Sequence, residues 1–364
     1  MSFAFGFAGD DIEADDHDML DAEPEGEASA KAAQDLVLPK MHTLADLLSN
    51  LPSQISYNTL SIPPHPSNTI ARRSLFDIRQ QLMAESSSAN SNDALIANLS
   101  SGDLSSGTYE GGFKTWECAL DLASLLSDPS FAGPTTPGDK DNTPLHVIEL
   151  GAGSAIPSLA VLRQCLSADT HTSPLNLTLC DYNEDVLKLC TAPNVFLNCH
   201  LIQQQQSIPE TNAPERDHDL DLEPLTTSIP CLAETLKTAN DIDVAFVSGA
   251  WGPSFFSLLK SSLAPTSTTD QQPPPTRILI LASETIYSPA TLPDFVGTTI
   301  SLLSLGAEGS RALVAAKKVY FGVGGGVAEF EREVAERGAG VRTVWHSGDE
   351  GGVGRVVLEV SLQR

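Results

Sequence analysis

The chain has 364 residues and 41% hydrophobic content, enough for one large domain or two small ones around a sizeable core. Its 47 acidic residues against 21 basic ones leave a net charge of −26. That field repels phosphate backbones, which argues against direct nucleic-acid binding, and it attracts basic proteins. No run of 18 apolar residues occurs and no basic-then-apolar start is present, so neither a membrane span nor export is expected.

Residues 1–8 alternate Phe3, Phe5 and Phe7 with small residues, and an acidic run from Asp10 to Glu27 follows. Like charge at this density cannot collapse, so residues 1–30 read as an acidic disordered tail. Its Phe-rich tip is either a docking motif or a loose end. Residues 31–110 read as an accessory region wrapping a catalytic domain at 111–364. Within it, Leu44, Leu47, Leu48 and Leu51 predict a short helix. Residues 52–69 look extended, 72–83 fit strand or helix, and the Ser/Asn-rich 86–107 stretch looks like a loop.

Helical spacing begins at Trp116, with Ala119, Leu120, Ala123 and Leu126, and a loop is expected at 128–144. The run Val147 to Leu150 predicts a buried parallel strand. It turns over Gly151-Ala152-Gly153 into a helix that Ser154 can cap, with Pro157 in its first turn. A second strand, Leu175 to Cys180, ends in Asp181-Tyr182-Asn183; the helix after it should break near Pro193. The polar stretch 203–230 reads as a mobile surface insertion. A third strand, Asp243 to Val247, leads into Gly249-Ala250-Trp251, and a Pro-rich loop follows at 264–276.

The fourth strand, Arg277 to Ala282, runs into Ser283-Glu284-Thr285-Ile286-Tyr287. A helix near 292–305 and a fifth strand, Arg311 to Ala316, come next. An amphipathic helix with Val327, Phe330 and Val334 stops at Gly338, and strands near 341–346 and 354–362 form an antiparallel hairpin. This alternation predicts an α/β fold with a mostly parallel, doubly wound sheet. Ligands in such sheets bind at the carboxyl ends of the strands, where the polar motifs collect. The six cysteines show no C-x-x-C pair and read as reduced core thiols of an intracellular protein.

Glycines at the first turn let a nucleotide approach the backbone. A dinucleotide fingerprint needs a third glycine where Ile156 stands, so that reading fails. What remains is Glu149-x-Gly151-x-Gly153. Asp181 can accept both ribose hydroxyls or act as an N-cap, and Trp251 can face an adenine or simply pack.

Glu149-x-Gly151-x-Gly153 resembles the first motif of class I S-adenosylmethionine (AdoMet)-dependent methyltransferases. Four further segments narrow the resemblance: Gly112 to Cys118; Asp181-Tyr182-Asn183 with Ala192-Pro193-Asn194-Val195; Ser283 to Tyr287; and Tyr320 to Val327. Together they resemble the protein-histidine methyltransferases that modify a histidine of large-subunit ribosomal protein L-three. The wider group includes lysine methyltransferases with a D/E-x-x-Y motif after the fourth strand, matched here by Glu284 and Tyr287.

The resemblance covers roughly 109–364 and implies a seven-stranded class I methyltransferase sheet with AdoMet as cofactor. Its pocket would be made by Thr115, Trp116, Glu117, Cys118, Ala119, Glu149, Gly151, Gly153, Asp181, Tyr182, Asn183, Gly249, Ala250, Trp251 and Ser283. The chain departs from the family in its insertions at 128–144, 203–230 and 264–276, and in Ala250, where an acidic residue is common.

Glu284 and Tyr287 are the candidate catalytic residues: Glu284, or a backbone acceptor beside it, takes an imidazole N–H, unless Glu284 holds a loop or the cofactor's amino group, and Tyr287 lines the target channel or packs beneath the sheet. A monomer acting on a basic ribosomal protein in cytoplasm and nucleus, without metal, nucleic acid or membrane, is the resulting expectation. The alternatives are a lysine methyltransferase of the same group, or a non-catalytic chaperone for a basic ribosomal protein. A NAD-dependent oxidoreductase is more distant.

Overall fold

A computed structural model of the chain describes residues 37–64, 68–85, 111–131, 143–167, 173–203, 217–225, 229, 231–263, 275–320, 324–348 and 353–363. The expected tail, the 86–107 stretch, and residues 132–142, 204–216, 264–274 and 321–323 lie outside them.

In chain order, the described residues begin with β1 (Lys40–His42), α1 (Leu44–Leu48), β2 (Gln54–Ser61), β3 (Thr69–Arg73) and α2 (Leu75–Glu85). Then come α3 (Glu117–Ser127), β4 (Leu145–Leu150), α4 (Ile156–Ser167), β5 (Leu175–Asp181), α5 (Glu184–Val186) and α6 (Ala192–Gln203). Next are β6 (His218–Asp221), α7 (Leu232–Asn240), β7 (Ile242–Ser248), α8 (Pro253–Leu263) and β8 (Arg277–Ser283). The remaining elements are α9 (Leu292–Leu303), β9 (Arg311–Lys317), α10 (Val327–Glu336), β10 (Ala339–His346) and β11 (Arg355–Leu362).

The main sheet runs β1-β7-β5-β4-β8-β9-β11-β10. β7, β5, β4, β8 and β9 are parallel, and β10 and β11 form the antiparallel hairpin. This is the expected mostly parallel sheet with a terminal antiparallel hairpin, with one correction to the strand count. The sheet has eight strands rather than seven, because β1 adds an antiparallel edge to β7, pairing Met41 with Val247. Three residues are too short to show a period of two, so the sequence gives no signal of it.

Every residue of β4 is buried, because helices cover both sheet faces. Val147, Leu179 and Leu281 point into one core, with Leu122 of α3 and Leu159 of α4. Ile148, Ile280 and Val314 point into the other, with Phe255 of α8, Phe295 of α9 and Phe330 of α10. Burying each such phenylalanine contributes about 1.5–3 kcal/mol relative to exposure.

The structure resolves local sequence in one place and overrules it in two. The ambiguous 72–83 segment is both forms: β3 ends at Arg73, and α2 runs from Leu75. Pro193 does not break its helix. A π-turn at Leu187–Thr191 precedes it, so the backbone is already widened where the proline ring would clash with a carbonyl one turn back. The 203–230 stretch is not wholly a surface excursion, since β6 pairs with β2 and Leu222 is buried. β2, β3 and β6 form a small second sheet.

That sheet is tied to the main domain by buried amides. Asn198 of α6 meets both backbone groups of Ala71: its Oδ1 accepts the N–H at 3.1 Å and its Nδ2 donates to the carbonyl at 2.8 Å. The Asn194 Oδ1 accepts from the Arg73 N–H at 2.7 Å. The open edge of β3 is thereby satisfied by side chains. The described cysteines are all free, and all but Cys231 are buried.

His146, buried in β4, bonds to the Thr178 hydroxyl at 2.8 Å. Burial pushes its pKa from 6.5 down to about 4, opposed by the Asp243 charge. Its neutral form therefore contributes stability that is complete above 6.5 and is lost as pH falls towards 4. Comparing urea unfolding of the wild type with His146→Gln from pH 7 to pH 4 should show a steeper acid loss in the wild type. Parallel curves would contradict this.

Candidate functional site

Sheet register brings four strand ends side by side. Leu150 pairs with Cys180 on one flank and with Ala282 on the other, and Ser283 pairs with Ala315. Asp181, Gly151, Ser283 and Lys317 therefore stand together at the carboxyl edge. The chain runs β4 to β5 to β7 one way and then returns through β8 to β9, so the strand order switches between β4 and β8. A crevice opens there in doubly wound sheets.

The glycine turn lies at that switch. Gly151 and Gly153 have φ of 72° and 51°, which favour glycine. A Cβ on Gly153 would stand 2.8 Å from the Gly112 carbonyl oxygen, and one on Gly151 would stand 2.9 Å from the Thr285 methyl. Asp181 clamps the turn from the neighbouring strand: its Oδ2 accepts from the Gly153 N–H at 3.0 Å, and its Oδ1 from the Asn183 N–H at 3.1 Å. On the other side, the Thr191 hydroxyl donates to the Gly153 carbonyl at 2.6 Å, and Asn194 Nδ2 donates to the Ser154 carbonyl at 3.0 Å. The Ser154 hydroxyl, expected as a helix cap, accepts from Thr115 at 3.0 Å.

Glu149, just before the turn, is fully buried. Its Oε2 accepts from the Ser158 N–H at 3.1 Å, while Oε1 has no hydrogen-bond partner among the described residues. The same holds for Asn183 Nδ2 and Thr285 Oγ1. Such atoms are costly to bury unpaired, and here they flank a backbone cradle that a side chain would fill. A polar ligand with donors and acceptors fits this arrangement. Trp251 closes one side, leaning on Phe295 at 5.0 Å, with its ring edge 3.8 Å from a Cβ built on Gly151.

A second cluster sits across the edge. Glu284 has φ of 55°, unusual for a side chain of its size. Its Oε2 accepts from the Tyr320 hydroxyl at 2.7 Å, and that hydroxyl in turn accepts the Lys317 N–H at 3.2 Å. Burial and then the Glu284 charge push the Tyr320 phenol upward, so it stays a donor. Glu284 Oε1 lacks a hydrogen bond and faces the Lys317 ammonium at 3.6 Å. The Tyr287 ring stands 6.3 Å from Tyr320, half-buried at the same edge. The indole of Trp116 donates to the Gly111 carbonyl and is flanked by Lys114 and Lys317, at 4.6 and 5.2 Å from its centroid.

The structure thus gathers Thr115, Trp116, Glu149, Gly151, Gly153, Asp181, Tyr182, Asn183, Trp251, Ser283, Glu284 and Tyr287 at one edge. Glu117 is exposed at the mouth, 3.8 Å from Lys317. Cys118 and Ala119 are buried under the first turn of α3, and burial followed by the Glu284 charge pushes the Cys118 thiol upward. Gly249 stands beside this group, its N–H donating to the Asp181 carbonyl at 3.0 Å, and with Ala250 it also packs on the start of the described chain. A Cβ on Gly249 would come within 2.6 Å of Pro39 Cα, and the Ala250 N–H donates to the Val37 carbonyl. Gly325 likewise packs on its own chain, against the Tyr287 carbonyl.

The sequence alone assigns no role to Lys317, Thr285, Thr191 and Asn194, although Thr285 lies in the Ser283-to-Tyr287 segment and Asn194 in Ala192-to-Val195.

No family model matches the chain. Histidine protein methyltransferase 1 of Saccharomyces cerevisiae is 30% identical, across 91% of this chain and 90% of its own length. This chain belongs to the histidine protein methyltransferase 1 family. The Schizosaccharomyces pombe member is 33% identical across 79% of this chain and 74% of its own. A Bos taurus homolog is 31% identical across 72% of this chain and 58% of its own. Among solved structures, the DhpI–SAH complex covers 61% of this chain and 78% of its own, at 13% identity and a TM-score of 0.27. In a family of this kind the cofactor is AdoMet, and the orphaned polar atoms around the Gly151 turn suit it.

Proposed function

We propose that the chain methylates a ring nitrogen of a histidine in a basic protein, the large-subunit ribosomal protein L-three. The observation that carries this reading is the Glu284 carboxylate, fixed through Oε2 by Tyr320 beside the glycine turn while Oε1 makes no hydrogen bond. Glu149, Gly151, Gly153, Asp181, Asn183 and Trp251 hold the cofactor. When bound, AdoMet supplies an electrophilic methyl group on a sulfonium.

The acceptor needs no strong base, because an imidazole with a pKa of about 6.5 is largely neutral at pH 7. What it needs is orientation and one tautomer. Glu284 Oε1 accepts the N–H of the non-attacking nitrogen, which raises the basicity of the other. The net charge of −26 favours a basic substrate. In this reading 111–364 is the catalytic domain, 31–110 an accessory region and 1–30 an acidic tail, and the protein works as a monomer in cytoplasm and nucleus.

The test is to incubate the full chain with AdoMet and ribosomal protein L-three, hydrolyse the product and identify the modified residue. Methylhistidine is expected; methyllysine would point to the lysine-modifying branch. Binding of AdoMet without any turnover would favour a substrate-holding protein. Glu284→Gln should lower kcat at least about tenfold, the scale of a lost charge-assisted hydrogen bond, and mix the two nitrogen isomers. Unchanged turnover and isomer ratio would remove Glu284 from the tautomer role.

A further inference from the structure

The functional reading uses Glu284 and leaves Lys317 without a role, although Lys317 is the cation nearest to it among the described ion pairs. Lys317 is the last residue of β9, and its ammonium lies 3.6 Å from Glu284 Oε1 and 3.8 Å from Glu117 Oε2. Its side chain is only 23% exposed, so the charge is poorly screened. The Trp116 ring is 5.2 Å away and carries Lys114 at 4.6 Å.

The other charged and titratable groups facing this niche are accounted for. From α3 come Glu117, Cys118 and Asp121; Asp121 is paired with Arg355 of β11. Tyr320 is spent on Glu284. The Cys118 thiol also lies against the Glu284 carboxyl group. Glu284 Oε1 therefore faces one counter-charge that is already in place.

That arrangement treats two kinds of nucleophile differently. A neutral imidazole donating one N–H to Oε1 brings no charge, so Lys317 does not oppose it. A lysine ε-ammonium, or an imidazolium, would bring a second cation beside Lys317 in a partly dry site and be repelled. Resting on the histidine reading above, we infer that Lys317 is a specificity-determining residue that reserves the acceptor niche for an uncharged nucleophile. It acts through its charge and touches no reacting atom.

The experiment measures kcat against pH from 5 to 9 for the full chain with AdoMet and ribosomal protein L-three. Wild type, Lys317→Met, Lys317→Gln and Lys317→Arg are compared. Removing a cation beside the bound imidazole raises its pKa, so more of it is protonated at a given pH. The acid limb of kcat should move upward by about one pH unit in both neutral variants, since kcat reports groups in the bound complex. It should stay in place in Lys317→Arg. A purely structural role would lower kcat in all variants without moving the limb.

A wild type that forms methylhistidine, with the limb unmoved in both neutral variants or moved equally by arginine, overturns the inference alone. A wild type that forms no methylhistidine overturns the functional reading, and the inference with it. Two neutral variants of different shape guard against one that fails to fold.

Discussion

Asp181→Ala is expected to weaken AdoMet binding at least about 100-fold, which corresponds to about 2.7 kcal/mol. The reason is the clamp. One buried carboxylate takes the N–H of Gly153 through Oδ2 and that of Asn183 through Oδ1. Removing it leaves two backbone donors without acceptors, at about 1–3 kcal/mol each. It also releases the turn that shapes the cradle. Asp181→Asn should be intermediate, about tenfold weaker, because its amide keeps one acceptor and sets a donor against the other N–H. Calorimetric titration with AdoMet reads both values, and thermal melting reports whether the fold survives. An alanine variant that melts normally and binds AdoMet with unchanged affinity would show that the clamp does not shape the site. Gly153→Ala should behave like Asp181→Ala, since its Cβ would be forced against the Gly112 carbonyl.

The parts of this protein that could be read from sequence are those whose cause is local. β4, β5, β7, β8 and β9 are mostly buried and mostly apolar, and each ends in, or is followed by, a polar residue or a glycine where the chain leaves the sheet. That pattern needs no knowledge of the partner strand, so Asp181, Gly151 and Glu284 could be assigned to one edge in advance. β6 is the opposite case. His218-Asp219-Leu220-Asp221 lies in a polar insertion whose composition suggests a loop, and it is a strand only because β2 pairs with it.

Gly249 shows how a local signal can have a distant partner. The glycine marks a close approach to Pro39, some two hundred residues earlier in the chain. Lys317 is illegible for a related reason. Nothing about a lysine at a strand end predicts a role until Glu284, Glu117 and Trp116 are placed around it. Gly151, Asp181 and Ser283 lie on adjacent strand ends, so their grouping follows from local pattern. Glu117, Glu284 and Lys317 come from α3, from the β8 exit and from the β9 end, and their meeting is a product of the fold.

Glu149 should make stability fall with rising pH, against the direction set by His146. Burial raises its pKa from 4.5 to about 8, opposed by the Ser158 hydrogen bonding and aided by the Asp181 charge. The folded carboxyl therefore keeps a proton that the unfolded chain has already lost. Its contribution is complete below 4.5 and is lost as pH rises through about 8. At about 1.4 kcal/mol per pH unit, the whole window amounts to at most about 5 kcal/mol. Glu149→Gln, which mimics the neutral form, should abolish this loss. The difference between wild-type and variant unfolding free energies, measured by urea titration at pH 5, 6.5, 8 and 9, isolates the group from the rest of an acidic chain.

The same proton should appear in cofactor binding. AdoMet is cationic and favours the ionised carboxylate, so binding at pH 7 should release protons. Titrations in buffers of different ionisation enthalpy should then give different heats for the wild type and equal heats for Glu149→Gln. Equal heats for both would mean that Glu149 keeps its protonation state when the cofactor enters. In that case its buried charge would not be the device that couples pH to methyl-donor affinity.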